Sequence, residues 1–92
     1  MATSQKNCRD VTIINELGLH ARSAARIAGI AQKAKSAGWI KRGDEKADAS
    51  SIMDILTLAC EKGTRITIIV DDPSDIDILN AVAEMVDSGF GE

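Results

Sequence analysis

The clearest periodicity lies in residues 21–35, where Ala24, Ile27, Ala28, Ile30, Ala31 and Ala34 recur at three- and four-residue steps. Arg22, Arg26, Lys33 and Lys35 fall mainly elsewhere on the wheel, so the segment predicts an amphipathic helix. Lys33 and Lys35 would sit in its last turn, where cations favour the dipole, with Gly38 as its stop. Before it, residues 8–14 set the β-branched Val11, Ile13 and Ile14 among polar neighbours and read as a strand, broken by Asn15-Glu16-Leu17-Gly18. Residues 39–42 and 46–49 predict two short strands about a Gly43-Asp44 turn. Residues 51–59 predict a short helix, with Ser51 as N-cap and Asp54 completing a Ser-x-x-Asp capping box. After Lys62-Gly63, residues 64–70 form the plainest strand, carrying Ile66, Ile68, Ile69 and Val70. Asp72-Pro73-Ser74-Asp75 then turns the chain into a last helix over 75–88, with Ile76, Leu79, Val82, Ala83 and Val86 inward and Gly89 ending it.

The order β-α-β-β-α-β-α predicts an α+β fold, an open-faced sandwich of a four-stranded antiparallel sheet with three helices on one face. At 92 residues the chain is expected to be a single domain over 1–92, with residues 1–7 a loosely ordered N-terminal extension. Hydrophobic residues at 45% and charged residues at 27% exclude wholesale disorder. One Trp, one Phe and no Tyr leave the core to aliphatic side chains. No apolar run approaches the roughly 20 residues of a membrane span, and the polar start offers no signal-peptide core, so a cytoplasmic protein without membrane insertion is expected. Cys8 and Cys60 lie too far apart for a CxxC motif, and reduced thiols with no metal site are expected.

The net charge of −3 is unevenly spread. Residues 17–43 hold six basic side chains and no acidic one, and residues 66–92 hold seven acidic and no basic one. Two solvated helix faces would account for this; so would a positive surface that attracts anionic partners or phosphate groups. Nucleic acid is not the expected partner, because the chain is acidic overall and has no aromatic pair to stack bases.

His20, the single histidine, falls where a loop meets the first helix. The unpaired N–H groups of a helix's first turn carry partial positive charge, which favours a neutral, nucleophilic ring and would hold a phosphoryl group placed on it. Arg22, always charged, could add charge-assisted hydrogen bonds to the same oxygens. A Ser-His-Asp triad or a metal centre lacks the necessary neighbours in sequence.

Gly18-Leu19-His20-Ala21-Arg22-Ser23-Ala24 resembles the active-site segment of the HPr family, the histidine-containing phosphocarriers of the bacterial phosphoenolpyruvate:sugar phosphotransferase system. Ser50-Ser51-Ile52-Met53-Asp54-Ile55-Leu56-Thr57-Leu58 resembles the family's second signature at the expected separation. Lys62-Gly63 and the closing Gly89-Phe90-Gly91-Glu92 are similar as well, so the resemblance spans about residues 8–92. It implies a carrier rather than an enzyme, without a cofactor. His20 would accept phosphate on Nδ1 from phospho-enzyme I and pass it to EIIA domains of sugar permeases, and Arg22 would steady the group. Ser51 matches the serine that HPr kinase/phosphorylase modifies in many bacteria. A paralogue serving a nitrogen-related or regulatory branch is the alternative.

Two positions depart from the family pattern. Ser23 stands where proline is usual, which should loosen the first helical turn and place a hydroxyl close to His20. Asp54 stands where a small residue is common, and its carboxylate would oppose a phosphate on Ser51. The short helix is apolar nearly all round, so one side must fill the core. Its other side, Met53 and Leu56, is expected to lie exposed beside His20, with Ser23 and Arg26, as the face a monomeric carrier presents to acidic partners.

Overall fold

Alternation decides which side of the sheet faces the core. Val11, Ile40, Ala47, Ile66, Ile68 and Val70 are buried, while Asp10, Thr12, Lys41, Lys46 and Arg65 between them are left partly or fully in solvent. The computed structural model describes residues 7–92. Strands β1 (Cys8–Thr12), β2 (Gly38–Arg42), β3 (Glu45–Asp48) and β4 (Arg65–Val70) form one sheet in the order β1-β4-β2-β3. Every neighbouring pair is antiparallel, with Val11 opposite Ile66, Ile40 opposite Ile68 and Ile40 opposite Ala47. Helices α1 (Ala21–Ala31), α2 (Ile52–Thr57) and α3 (Ile76–Asp87) follow the predicted order. Their buried residues, among them Ala24, Ile27, Ile55, Leu79, Val82 and Val86, share one core with the sheet. The result is the four-stranded antiparallel sheet with three helices that the sequence predicts, an open-faced sandwich.

The element ends differ from expectation, and each difference has a local cause. The first strand stops at Thr12, but Ile13 keeps its pairing: its N–H donates to Thr64 O at 2.9 Å and its carbonyl accepts from Gly63 N at 2.7 Å. Gly38 belongs to β2, where it lies opposite Val70 and its carbonyl accepts from Ala49 N at 2.9 Å. The third strand begins at Glu45. Gly43 takes φ +60° at the first of the two hairpin positions, the conformation that a II′-type turn requires. The second helix is shorter than 51–59 because Ala59 turns left-handed, φ 52°, directly after the Leu58 cap. Of the extension expected over residues 1–7, residues 1–6 lie outside the described residues. Asn7 donates through Nδ2 to Val70 O at 2.8 Å.

The largest departure is at the end of α1, expected at Lys35 and found at Ala31. Lys33 and Ala34 donate to Ile30 and Ala31, bonds of a tightening last turn, and the chain then leaves the helix for Asp75. The buried carboxylate of Asp75 accepts from Lys35 N at 3.0 Å, Ser36 N at 2.9 Å and Ser36 Oγ at 2.7 Å. Lys33 and Lys35 therefore lie past the helix end. Asp75 consequently makes no side-chain cap on α3; the chain enters that helix through a 3-10 turn, Pro73–Asp75, whose own N-cap is Asp72.

The Lys35 N–H first, then the Ser36 hydroxyl, hold the Asp75 carboxyl below the ordinary aspartate range. A lowered native value means that ionised Asp75 stabilises the fold fully above the unfolded value of about 3.9. That contribution is lost as pH falls through the native value. Asp75→Asn should therefore melt below the wild type by a constant margin between about pH 5 and pH 7. Thermal melts taken down to about pH 2 should show the margin narrowing below about pH 4.

Candidate functional site

The loop before α1 is pinned by three contacts. Leu19 N donates to Cys60 O at 2.9 Å, Gly18 N to Asn15 O at 3.1 Å, and Asn15 Nδ2 to Gly18 O at 2.9 Å. Gly18 has φ +65°, and a Cβ there would lie 2.4 Å from the Cys60 carbonyl oxygen, so only glycine lets the loop approach this closely. Leu19 buries its side chain and His20 comes to the N-cap of α1 in extended conformation, φ −116°.

The first intrahelical bond runs from Ala24 N to His20 O at 2.8 Å, leaving the earlier N–H groups of the helix to other acceptors. Arg22 N donates to His20 Nδ1, long at 3.3 Å. On the ring's far side, Nε2 lies 3.2 Å from Glu92 Oε2, and Glu92 Oε1 accepts from Asn15 Nδ2 at 3.2 Å. The Asn15 amide first, then the His20 ring and the Arg22 charge, hold the Glu92 carboxyl below the usual glutamate range against the effect of partial burial. A neutral imidazole carries one proton for its two nitrogens. With a donor facing Nδ1 and a carboxylate facing Nε2, the proton belongs on Nε2 and the lone pair on Nδ1.

Ser23 corrects two expectations. Its side chain is fully buried, so it offers no surface to a partner. Its hydroxyl accepts from His20 N at 2.9 Å and has Gly18 O and His20 O, at 3.1 and 3.2 Å, as acceptors for its own proton. The serine thus closes the first turn through a reciprocal cap rather than loosening it.

Arg22 is exposed, and among the described residues its guanidinium makes no hydrogen bond or ion pair. Arg26 is exposed too but is engaged, donating to Phe90 O at 2.5 Å. Met53 is 72% exposed as expected, whereas Leu56 packs half-buried against the core; Ile52 and Leu17 are large apolar side chains also left open, on α2 and in the loop before His20. Ser51 caps α2, its Oγ accepting from Asp54 N at 3.2 Å. The box is not reciprocal, since Ser51 N donates instead to Asp48 O at 3.1 Å. Asn15 and Glu92 are the site residues that sequence reasoning missed. The terminal Gly-Phe-Gly-Glu stands out in the sequence, but its contact with a ring 72 positions away has no periodicity to announce it.

The fold and site define a class: a small α+β protein that offers one imidazole nitrogen at the start of a helix, beside an arginine left open to solvent. Residues 8–88 match the family model described as "PTS HPr component phosphorylation site". The chain is 37% identical over 84 residues to the phosphocarrier protein HPr of Cupriavidus necator, covering 91% of this chain and 94% of that one. It is also 37% identical over 84 residues to the phosphocarrier protein NPr of Shewanella violacea, covering 91% and 92%. Among solved structures, HPr-C-His from Thermoanaerobacter tengcongensis superposes with a TM-score of 0.86 at 30% identity, covering 92% of this chain and 96% of that one. The chain belongs to the HPr family, the phosphocarriers of the phosphotransferase system.

Removal of the Ser23 hydroxyl strips the His20 N–H of its partner. Ser23→Ala should cost about 1 kcal/mol, read as a fall of roughly 4–8 °C in Tm. Gly18→Ala should cost more, about 2 kcal/mol or above, because the left-handed backbone penalises any Cβ and the Cys60 carbonyl must also move. Urea unfolding of the two variants beside the wild type checks both.

Proposed function

We propose that the protein accepts a phosphoryl group on His20 Nδ1 from phospho-enzyme I and passes it to EIIA domains, working as a monomeric, single-domain carrier in the cytoplasm. One observation carries the reading: His20 Nδ1 faces the Arg22 N–H in the first turn of α1, and among the described residues the Arg22 guanidinium makes no hydrogen bond or ion pair. As Nδ1 forms its bond to phosphorus, it gives up the long hydrogen bond from Arg22 N. A phosphoryl oxygen is then the natural acceptor for that N–H, and the helix start favours its charge. The Arg22 side chain can close on a second oxygen by a charge-assisted hydrogen bond. The chain brings nucleophile and cradle to the same point, and the partner brings the opposing groups.

Leu17, Ile52 and Met53 give the partners an exposed apolar contact, and the basic residues of α1 favour acidic ones. The choice of acceptor, a sugar permease or a nitrogen-related branch, leaves the chemistry at His20 unchanged. Ser51 belongs to the proposal as the regulated position, half-buried at the cap of α2 with Asp54 in the first turn. ATP and HPr kinase/phosphorylase should phosphorylate the wild type there and leave Ser51→Ala unmodified.

Incubation with phosphoenolpyruvate and enzyme I should add about 80 Da, one phosphoryl group, in an acid-labile form that His20→Ala lacks. Arg22→Ala should still be modified, with a transfer rate about tenfold lower, the loss of one charge-assisted hydrogen bond at an open site. Absence of any gain, while an HPr in the same tube is phosphorylated, overturns the reading.

A further inference from the structure

The terminal turn is built to deliver one carboxylate. Phe90 holds a left-handed backbone, φ 59°, which is unfavourable for a residue with a Cβ. Its ring is buried in the core, and its carbonyl accepts from Arg26, so the strained turn is held in place. Two residues on, Glu92 reaches back, with one oxygen on the buried Asn15 amide and the other on His20 Nε2. The Asn15 amide cannot be reversed without setting its oxygen against the Gly18 carbonyl and the Glu92 carboxylate, so it offers donors on that side only.

We infer that Glu92 is a positioning residue of the carrier cycle: held by Asn15, it keeps the proton on His20 Nε2 and pairs with the cationic ring that exists while the phosphoryl group is carried. The inference rests on phosphorylation at Nδ1. When the Nδ1 lone pair bonds to phosphorus and the donor's bond to phosphorus breaks, the Nε2 proton stays. The ring is then a phosphoimidazolium with one positive charge. With the group loaded, Glu92 faces a ring that is a full cation, 3.2 Å from its oxygen in the present geometry, a charge-assisted pair that a neutral ring does not give. On unloading, the N–P bond electrons return to Nδ1 and no proton has crossed to solvent. Asn15 is neutral, and the charges acting on Glu92 among the described residues are those of a protonated His20 ring and of Arg22.

Glu92→Gln tests this because an amide has one acceptor oxygen where the carboxylate has two. The substituted amide puts an NH2 in place of one of the two oxygens that now face Asn15 and His20 separately, and it carries no charge. The phosphohistidine is prepared with phosphoramidate, which frees the measurement from enzyme I, and 31P NMR follows its titration. In the wild type the phosphoryl group should be on Nδ1. In Glu92→Gln the pH at which the phosphorylated ring loses its Nε2 proton should fall by roughly half a unit to one unit, a three- to tenfold change for a partly exposed pair. Glu92→Asp, which keeps the charge, should recover part of that shift, which a purely structural role for the side chain would not do. An unchanged titration in Glu92→Gln, or wild-type phosphorylation on Nε2, overturns the inference. Failure of the carrier reading itself is seen separately, as the absence of enzyme I-dependent mass gain.

Discussion

An α-helix cannot satisfy the N–H groups of its own first turn, and in this protein the ring of a histidine accepts one of them. That constraint organises the rest of the site. The residue at the cap must have extended backbone, so the chain has to arrive from a tight loop, and the loop is tight because Gly18 lies against the Cys60 carbonyl. The His20 N–H then needs an acceptor of its own, which Ser23 provides from inside the helix. A ring that accepts on Nδ1 has to donate from Nε2, and the terminal turn places Glu92 there. Removing any one of these leaves a donor without an acceptor within about one helical turn of His20.

The same shortage of partners explains the far end of α1. Hydrophobic spacing would carry the helix to Ala34, and nothing in residues 32–35 forbids it. Asp75 competes, offering a carboxylate to two backbone N–H groups and a hydroxyl at once, which is stronger than the neutral bonds a further helical turn would make. The helix is cut short, Gly38 is released into β2, and the sheet gains its second strand at the place where Ala37 O accepts from Asp71 N at 3.0 Å.

What can be read from the sequence follows from this division. Period-2 and period-3.6 patterns are local, so the seven elements, their order and the sandwich are legible, and ends drift by one to four residues where a distant side chain decides them. His20 and Arg22 are legible because a single histidine falls at a predicted helix start inside a motif. Ser51 is legible as a cap, but the partner of its N–H is not, since Asp48 O and Asp54 are equally close in sequence. Ser23 misleads: a serine in place of proline looks like lost rigidity until the loop carbonyls come within reach of its hydroxyl. Asn15 and Glu92 are not legible as a pair at all, being 77 positions apart.

Ser23 shows how the family's usual proline can be replaced without giving up the geometry. Proline stiffens a first turn by restricting φ and by having no N–H to leave unpaired, which acts largely on the unfolded chain. Serine acts on the folded one: it leaves the unfolded chain free and instead ties His20 N, and through Gly18 O the loop itself, to the helix. In the carrier cycle proposed above, the two solutions differ in what they do when the ring is loaded. A proline holds the first turn whatever the ring does, whereas the serine cap shares the His20 backbone with the ring's own bond to Arg22 N. If Nδ1 releases that N–H to a phosphoryl oxygen, as the proposed function requires, the hydroxyl bond to His20 N is what keeps the residue at the helix start. The substitution therefore transfers the work of holding His20 from a covalent ring to a hydrogen bond, whose acceptor hydroxyl belongs to a fully buried side chain.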